Sequence, residues 1–544
     1  MAAAPEVYAF DHPHEAPPRT LKDLLGGKGA GLAEMTSVLK MPVPPGFTIA
    51  VPVCRAYRAG GWPDGLTDAI AEHLAKLEAT LGRTFGDPAD PLLLAVRSGA
   101  AFSMPGMMDT VLNLGLNDET VAGLAAASGD SEFAFDSYRR FLMSYANTVL
   151  GAELKEPAEA HDANASAAAK LDAVKALLAG ANVLVPSDPR EQLRGAVEAV
   201  FKSWDSPRAK AYRARENIDE NLGTGVNVQA MVFGNYGDTS GTGVVFTRNP
   251  NTGENKAYGD FLPRAQGEDV VAGIARTLDI SELGTHLPGT DTVLAQHLAE
   301  LEKHYRDMCD VEFTIERGNV WILQTRVAKR GAVAAVRAAV QMVDDPVIAL
   351  TKAEAVARVT PEQREAARAE ILAGVAAGAS GGPPVATGLG ASPGCVHGKA
   401  IFSADEAADA ADASDEPIIL VREETSPEDV HGMGVSAGIL TSHGGLVSHA
   451  AVVARGWGIP AVVGAGDLTV TEDAALGPDG NVLFRAGDVI TIDGKTGEVW
   501  LGRHTDTDSC ADGDADGDAA AAGEAALARE LPELAILESW AAEA

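Results

Sequence analysis

The chain has 544 residues, 46% of them hydrophobic, and sets 43 Lys and Arg against 77 Asp and Glu for a formal charge of -34. That length exceeds what one core serves, so about three domains are expected, and the acid excess argues against nonspecific binding to nucleic acid or an anionic membrane, leaving any phosphate site to be local. No apolar run approaches the roughly 20 residues of a membrane span and residues 1–18 lack a basic region followed by an apolar one, so the expectation is a cytoplasmic protein that binds no membrane. Cys54, Cys309, Cys395 and Cys510 are too scattered for a metal knuckle or a disulfide framework.

In chain order, residues 24–35 (LLGGKGAGLAEM) place Gly26, Gly27, Gly29 and Gly31 around Lys28 ahead of a helical pattern. Amides at such glycines approach phosphate closely and lysine adds a point charge. The P-loop spacing is missing, and a plain glycine-rich turn with a surface lysine stays open. Residues 41–51 read as a proline-bounded strand, followed by an amphipathic helical stretch through Leu81. The apolar run 92–96 reads as a buried strand that delivers Arg97, with Ser98 and Gly99, to a sheet rim. Its planar fork suits phosphate, pairing with a structural carboxylate being the alternative. Residues 133–203 have a helical pattern.

Residues 226–233 and 243–247 read as the two strands of a hairpin around a glycine-rich tip, 234–242. Its amides and the hydroxyls of Thr239, Ser240 and Thr242 suit a nucleotide phosphate, and Arg248, Gln266 and Glu268 lie just beyond. Next, Asp310, Glu312 and Thr314 alternate with Val311, Phe313 and Ile315, the pattern of a half-buried strand. Arg317 and Gly318 turn the chain into a returning strand, 319–325. Glu312 and Gln324 then offer oxygens to one Mg²⁺ held by phosphates, unless they are an exposed polar pair.

Residues 331–377 read as alanine-rich helices with a break near Pro346 and a new start at Thr360 and Pro361. The loop 379–388 marks a boundary. Short strands at 400–402, 418–421, 438–441, 461–463, 489–493 and 498–501 alternate with small helices in a compact mixed domain. Within it, residues 441–455 (TSHGGLVSHAAVVAR) run a glycine-bearing turn into His449 and a helical segment. That order puts the imidazole near a helix start, where unpaired N–H groups and the dipole favour anions. A histidine that merely caps or packs stays open. In the tail, Asp512, Asp514, Asp516 and Gly517 fit the opening of a calcium loop, but Gly523 stands where Glu is needed, so a solvated acidic spacer is expected.

Taken together and in order, GGKGAGLAEM, VRSGAAFSMPGMMDTVLNLGLND, GNYGDTSGTGVVFTRNPNTGE, QGEDVVAG, DVEFTIERG, LQTR, ETSPEDVHGM and GGLVSHAAVVARG resemble the pyruvate, phosphate dikinase family. The resemblance implies an α/β and α+β multidomain fold. An ATP-grasp nucleotide-binding domain would occupy 1–330, with a helical insertion at about 120–205. A helical and Gly/Pro linker (331–388), a swivelling β/β/α phosphohistidine domain (389–503) and an acidic tail with a hinge remnant (504–544) would follow.

The same resemblance makes Lys28 and Arg97 ligands of the ATP phosphates and Thr239, Ser240, Gly241, Thr242 and Gly243 the loop that covers them. Glu312 and Gln324 look like the Mg²⁺ pair, with Asp310 and Arg326 beside them. His449 matches the histidine that takes a pyrophosphoryl group from ATP, loses pyrophosphate to inorganic phosphate and carries the remaining phosphoryl group to pyruvate, forming phosphoenolpyruvate. Three departures stand out. His443 replaces the usual arginine, and Val447 the common threonine that a regulatory kinase modifies in some members. The family's pyruvate-binding barrel is not seen before Ala544, so a separate barrel protein is expected to supply it. A homodimer, transfer to another small-molecule acceptor and a noncatalytic nucleotide-binding subunit remain open.

Overall fold

The computed structural model describes residues 6–102, 104, 107–162, 164–272, 277–376, 383–503 and 525–543. The chain divides into two compact units, Met1–Tyr236 with Trp321–Thr325, and Gly237–Val320 with Arg326–Ala544. The expected 1–330 module therefore draws on both.

The first unit is built on a five-stranded sheet in the order Val7–Ala9, Gly46–Ile49, Thr224–Ala230, Leu94–Ala100, Thr110–Leu114. The central strand Thr224–Ala230 is buried at every residue because strands pair with both its edges and helices Lys22–Ala33, Val51–Gly60 and Pro189–Ser203 pack on it. The helical stretch expected through Leu81 is two helices, Val51–Gly60 and Leu66–Leu81. They are separated by Gly61 and Gly65 at φ 81° and 78°, backbone that a side chain disfavours. In the second helix Leu66, Ile70, Leu74 and Leu77 form one buried stripe. Helices Ser131–Thr148, Ala167–Gly180 and Pro189–Ser203 bear out the helical pattern and join the same core.

In the second unit, Leu278–Asp279, Tyr258–Pro263, Gly241–Phe246 and Cys309–Glu316 lie side by side in that order. This corrects the expected hairpin: Thr224–Ala230 and Gly241–Phe246 belong to different sheets. Each already has both edges filled, the latter by Tyr258–Pro263 and Cys309–Glu316, so neither has an edge for the other. Cys309–Glu316 is also more buried than its alternation implies, only Glu312 and Glu316 being half-exposed.

Helices Ala332–Asp344, Lys352–Arg358 and Pro361–Ala376 form where the caps place them. Thr351 and Glu354 make a capping box, and the Thr360 hydroxyl accepts from the Gln363 N–H. With Pro532–Glu543 they close a core of their own around Val336, Val340, Ile371, Leu534 and Leu537. The helical part of the expected helical and Gly/Pro linker thus packs as a cluster. Residues 377–382 of the Gly/Pro segment, Cys510 and the calcium-like positions lie outside the described residues.

Residues 386–501 form an eight-stranded sheet. Its order is Ala386–Thr387, Glu498–Leu501, Val489–Asp493, Cys395–Ile401, Ile418–Arg422, Gly438–Thr441, Ala461–Val463, Leu389–Ser392. All six strands read from sequence are present, and the four from Cys395–Ile401 to Ala461–Val463 run parallel. A small sheet of Thr469–Val470, Ala474–Leu476 and Val482–Arg485 was not anticipated, its strands being too short to show a period. Among the described residues no helix is long and apolar enough to cross a membrane.

Candidate functional site

In the first unit, Lys28 lies inside helix Lys22–Ala33 rather than in a turn before it. The helix kinks at Gly26, whose φ of 71° and contact with the Gly99 carbonyl admit no side chain. A Cβ there would fall 1.6 Å from the Gly99 oxygen. The kink starts a fresh helical segment with Lys28 in its first turn, and a Cβ on Gly99 would meet the Lys28 Cβ at 3.2 Å. Arg97 is in the middle of Leu94–Ala100, not at its rim, opposite Asn227 and Thr110. Its Nη1 donates to the Leu323 carbonyl at 3.2 Å, next to Gln324. Lys28, Arg97 and Gln324 thus share one neighbourhood of this unit.

In the second unit, the stretch from Thr239 to Gly243 is half turn and half strand. Gly241–Phe246 commits its backbone to two neighbours, and the Thr242 hydroxyl donates to the Phe313 carbonyl at 3.1 Å. Ser240 is fully buried, its Oγ accepting from the Arg317 N–H at 2.9 Å, while the Thr239 carbonyl accepts from the Gly318 N–H at 2.8 Å. The segment is therefore pinned to the turn at Arg317 and Gly318 instead of forming a free tip. Only Thr239 keeps an exposed side chain.

Asp310 and Glu312 are two apart on Cys309–Glu316 and share a face. Asp310 Oδ2 accepts from Arg326 Nε at 2.6 Å, and its Oδ1 is buried with no partner among the described residues. Arg248 is structural, its guanidinium forked onto Glu302 at 2.8 and 3.1 Å in the interior. Gln266 is a stronger candidate than its sequence context suggests: it is 3% exposed, and neither side-chain amide atom has a hydrogen-bond partner among the described residues.

His449 begins helix His449–Trp457, which Ser448 caps through the Ala451 N–H and Gly458 ends at φ 68°. Its Nδ1 meets Thr425 Oγ at 3.0 Å, and Nε2 is buried without a partner among the described residues. Burial pushes the imidazole pKa down to about 4, although Asp429 and Glu428 pull it upward. The ring is neutral at pH 7, with Nε2 as its unengaged atom. Thr425 was missed as a site residue, though it lies in the ETSPEDVHGM stretch. Val447 is buried against Phe246 and Leu262, and exposed His443 faces Glu423 at 3.3 Å.

The turn before His449 is seated on strand Tyr258–Pro263. The Leu446 N–H donates to Asp260 Oδ2 at 2.8 Å, and a Cβ on Gly445 would come within 2.4 Å of that oxygen. Asp260, 4% exposed, has its pKa pushed up to about 6, chiefly by burial and also by Asp279, against the Leu446 N–H, Arg455 and Thr277.

Two family models match the chain: "Pyruvate phosphate dikinase, AMP/ATP-binding domain" over residues 59–280 and 291–345, and "PEP-utilising enzyme, mobile domain" over 414–497. The chain is 47% identical over 517 residues to the chloroplastic pyruvate, phosphate dikinase of Flaveria pringlei, covering 91% of this chain and 53% of that protein. It is 47% identical over 510 residues to the pyruvate, phosphate dikinase of Rhizobium meliloti (strain 1021), covering 88% and 56%. With that of Clostridium symbiosum the identity is 46% over 516 residues, covering 91% and 58%. The chain spans about half the length of the curated relatives it matches. Matched by the dikinase AMP/ATP-binding and mobile-domain models and 46–47% identical to these dikinases over about nine-tenths of its length, this chain belongs to the pyruvate, phosphate dikinase family.

Proposed function

We propose that the chain performs the ATP side of the dikinase reaction, with His449 as phosphoryl carrier and pyruvate as final acceptor. The observation that carries this is the state of His449: neutral, with Nε2 unbonded among the described residues, at a capped helix start. For Nε2 to hold the lone pair, Nδ1 must carry the ring proton and donate it to Thr425 Oγ. Nε2 attacks the β-phosphorus of ATP, the bond to the α-phosphate oxygen breaks, and AMP leaves. An oxygen of inorganic phosphate then takes the terminal phosphoryl group from the pyrophosphorylated histidine, releasing pyrophosphate. The phosphoryl group left on Nε2 passes to the enolate oxygen of pyruvate, giving phosphoenolpyruvate.

Lys28 and Arg97 are the cations we assign to the nucleotide phosphates within an ATP-grasp domain, where fixed charge offsets what develops on the moving phosphoryl group. Thr239 is the residue of the phosphate-covering stretch with a side chain free to reach ligand. Assigning Mg²⁺ to Glu312 and Gln324 rests on the resemblance and on their oxygen chemistry, which suits a hard cation. The orphaned Asp310 Oδ1 on the Glu312 face is the observation that fits it. Bound there, the ion would neutralise phosphate charge. Carriage between sites requires the 389–503 domain to swivel.

The test is incubation with ATP labelled at the β or the γ position, with and without phosphate. Acid-labile β-label should remain on His449, phosphate should release γ-label as pyrophosphate, and His449→Asn should take no label. Equal labelling of wild type and variant would overturn the reading.

A further inference from the structure

His449 shares its helix with a buried arginine that the chemistry above does not use. Arg455, 5% exposed, makes hydrogen bonds to neutral acceptors only among the described residues. Nη2 donates to the Ala391 carbonyl at 2.8 Å and the Leu446 carbonyl at 3.3 Å. Nε donates to Asn251 Oδ1 at 3.1 Å, and the guanidinium carbon stands 5.4 Å from the centre of the Phe246 ring. Ala391 and Leu446 belong to the domain that carries His449, whereas Asn251 and Phe246 belong to the sheet region on which it rests. Leu446 is thereby held at both ends, its N–H by Asp260 and its C=O by Arg455. It stands two residues before Ser448, whose side chain caps the His449 helix.

A buried cation is costly unless its donors are satisfied, and a rigid fork satisfied by carbonyls of its own domain holds its direction. The remaining edge and face of Arg455 then address the sheet region, where Asp260 and Asp310 supply a favourable field. We propose that Arg455 is a positioning residue for phosphorylation of His449: its guanidinium clamps the turn at Leu446 and registers that turn against Asn251 and Phe246, so that Nε2 is presented in one orientation. The proposal rests on the reading of His449 as phosphoryl carrier. Lysine cannot replace it, because one ammonium has no planar fork to span Ala391, Leu446 and Asn251 together.

The test uses the full chain with two variants. Arg455→Lys keeps the charge and removes the fork, and Asn251→Ala leaves Arg455 intact and removes the acceptor it meets on the sheet region. Three quantities are read: the rate of β-label transfer to His449, the affinity for ATP, and amide hydrogen exchange across residues 444–448. Because small misplacement of a reacting group costs rate steeply, Arg455→Lys should slow labelling by about tenfold and Asn251→Ala by about threefold, with ATP affinity changed less than about twofold. Exchange across 444–448 should quicken in both variants. A merely structural role would lower melting temperature and ATP affinity without this separation of rate from binding. Wild-type labelling rates in both variants, or unchanged exchange across 444–448, overturn the proposal. If wild type takes no label, the carrier reading fails, and the exchange comparison still decides whether Arg455 clamps the turn. Should Arg455→Lys not fold, Asn251→Ala carries the same readouts.

Discussion

An imidazole accepts a phosphoryl group only while one ring nitrogen keeps its lone pair, and the environment of His449 secures that by burial. Its ordinary pKa of 6.5 falls to about 4 in the folded chain. Between those values the unfolded chain binds a proton that the folded one refuses, so this residue's contribution is fully present above pH 6.5 and is lost as pH falls toward 4. By pH 5 the loss should be about 2 kcal/mol. Urea unfolding of wild type and His449→Gln at pH 7 and pH 5 checks this: the stability gap should move in favour of the variant on acidification, and a constant gap would refute it. The histidine and its helix were legible in the residues 441–455. Its partner Thr425 was not, since 24 residues separate the two and only the adjacent parallel strands bring their ends together.

At the scale of elements, glycine placement shows how a local pattern can be recognised and still misread. The cluster around Lys28 reads as a phosphate turn, yet most of it is helical, and the kink at Gly26 arises from packing against Gly99. Gly26→Ala should therefore cost about 3 kcal/mol or more, through clash with the Gly99 carbonyl and strain at positive φ. Gly60→Ala, with nothing within 4 Å, should stabilise its helix by about 0.5 kcal/mol. Melting temperatures of the two variants separate these effects, and similar shifts would contradict the packing account. The expected hairpin failed for a related reason: the strand signals were right, but which edges each strand fills depends on residues far along the chain.

For the whole molecule, the charge of -34 is a property of sequence with a global consequence. Self-repulsion destabilises compact states and is screened by salt, so the melting temperature should rise as ionic strength goes from about 0.01 to 0.2 M. A flat or falling trend in scanning calorimetry would show that local ion pairs such as Arg248 with Glu302 outweigh the net field. Sequence alone determined the ordered motifs, the mixed α/β character, the helices of 332–376 and the main strands of the His449 domain, because these follow from local period, caps and spacing. Tertiary structure alone decided that Thr224–Ala230 and Gly241–Phe246 part company, that the helices of 332–376 close a core with Pro532–Glu543, and that Asp260 and Arg455 grip Leu446. Those outcomes depend on edge occupancy, burial and contacts between residues distant in the chain, none of which is written in any local stretch.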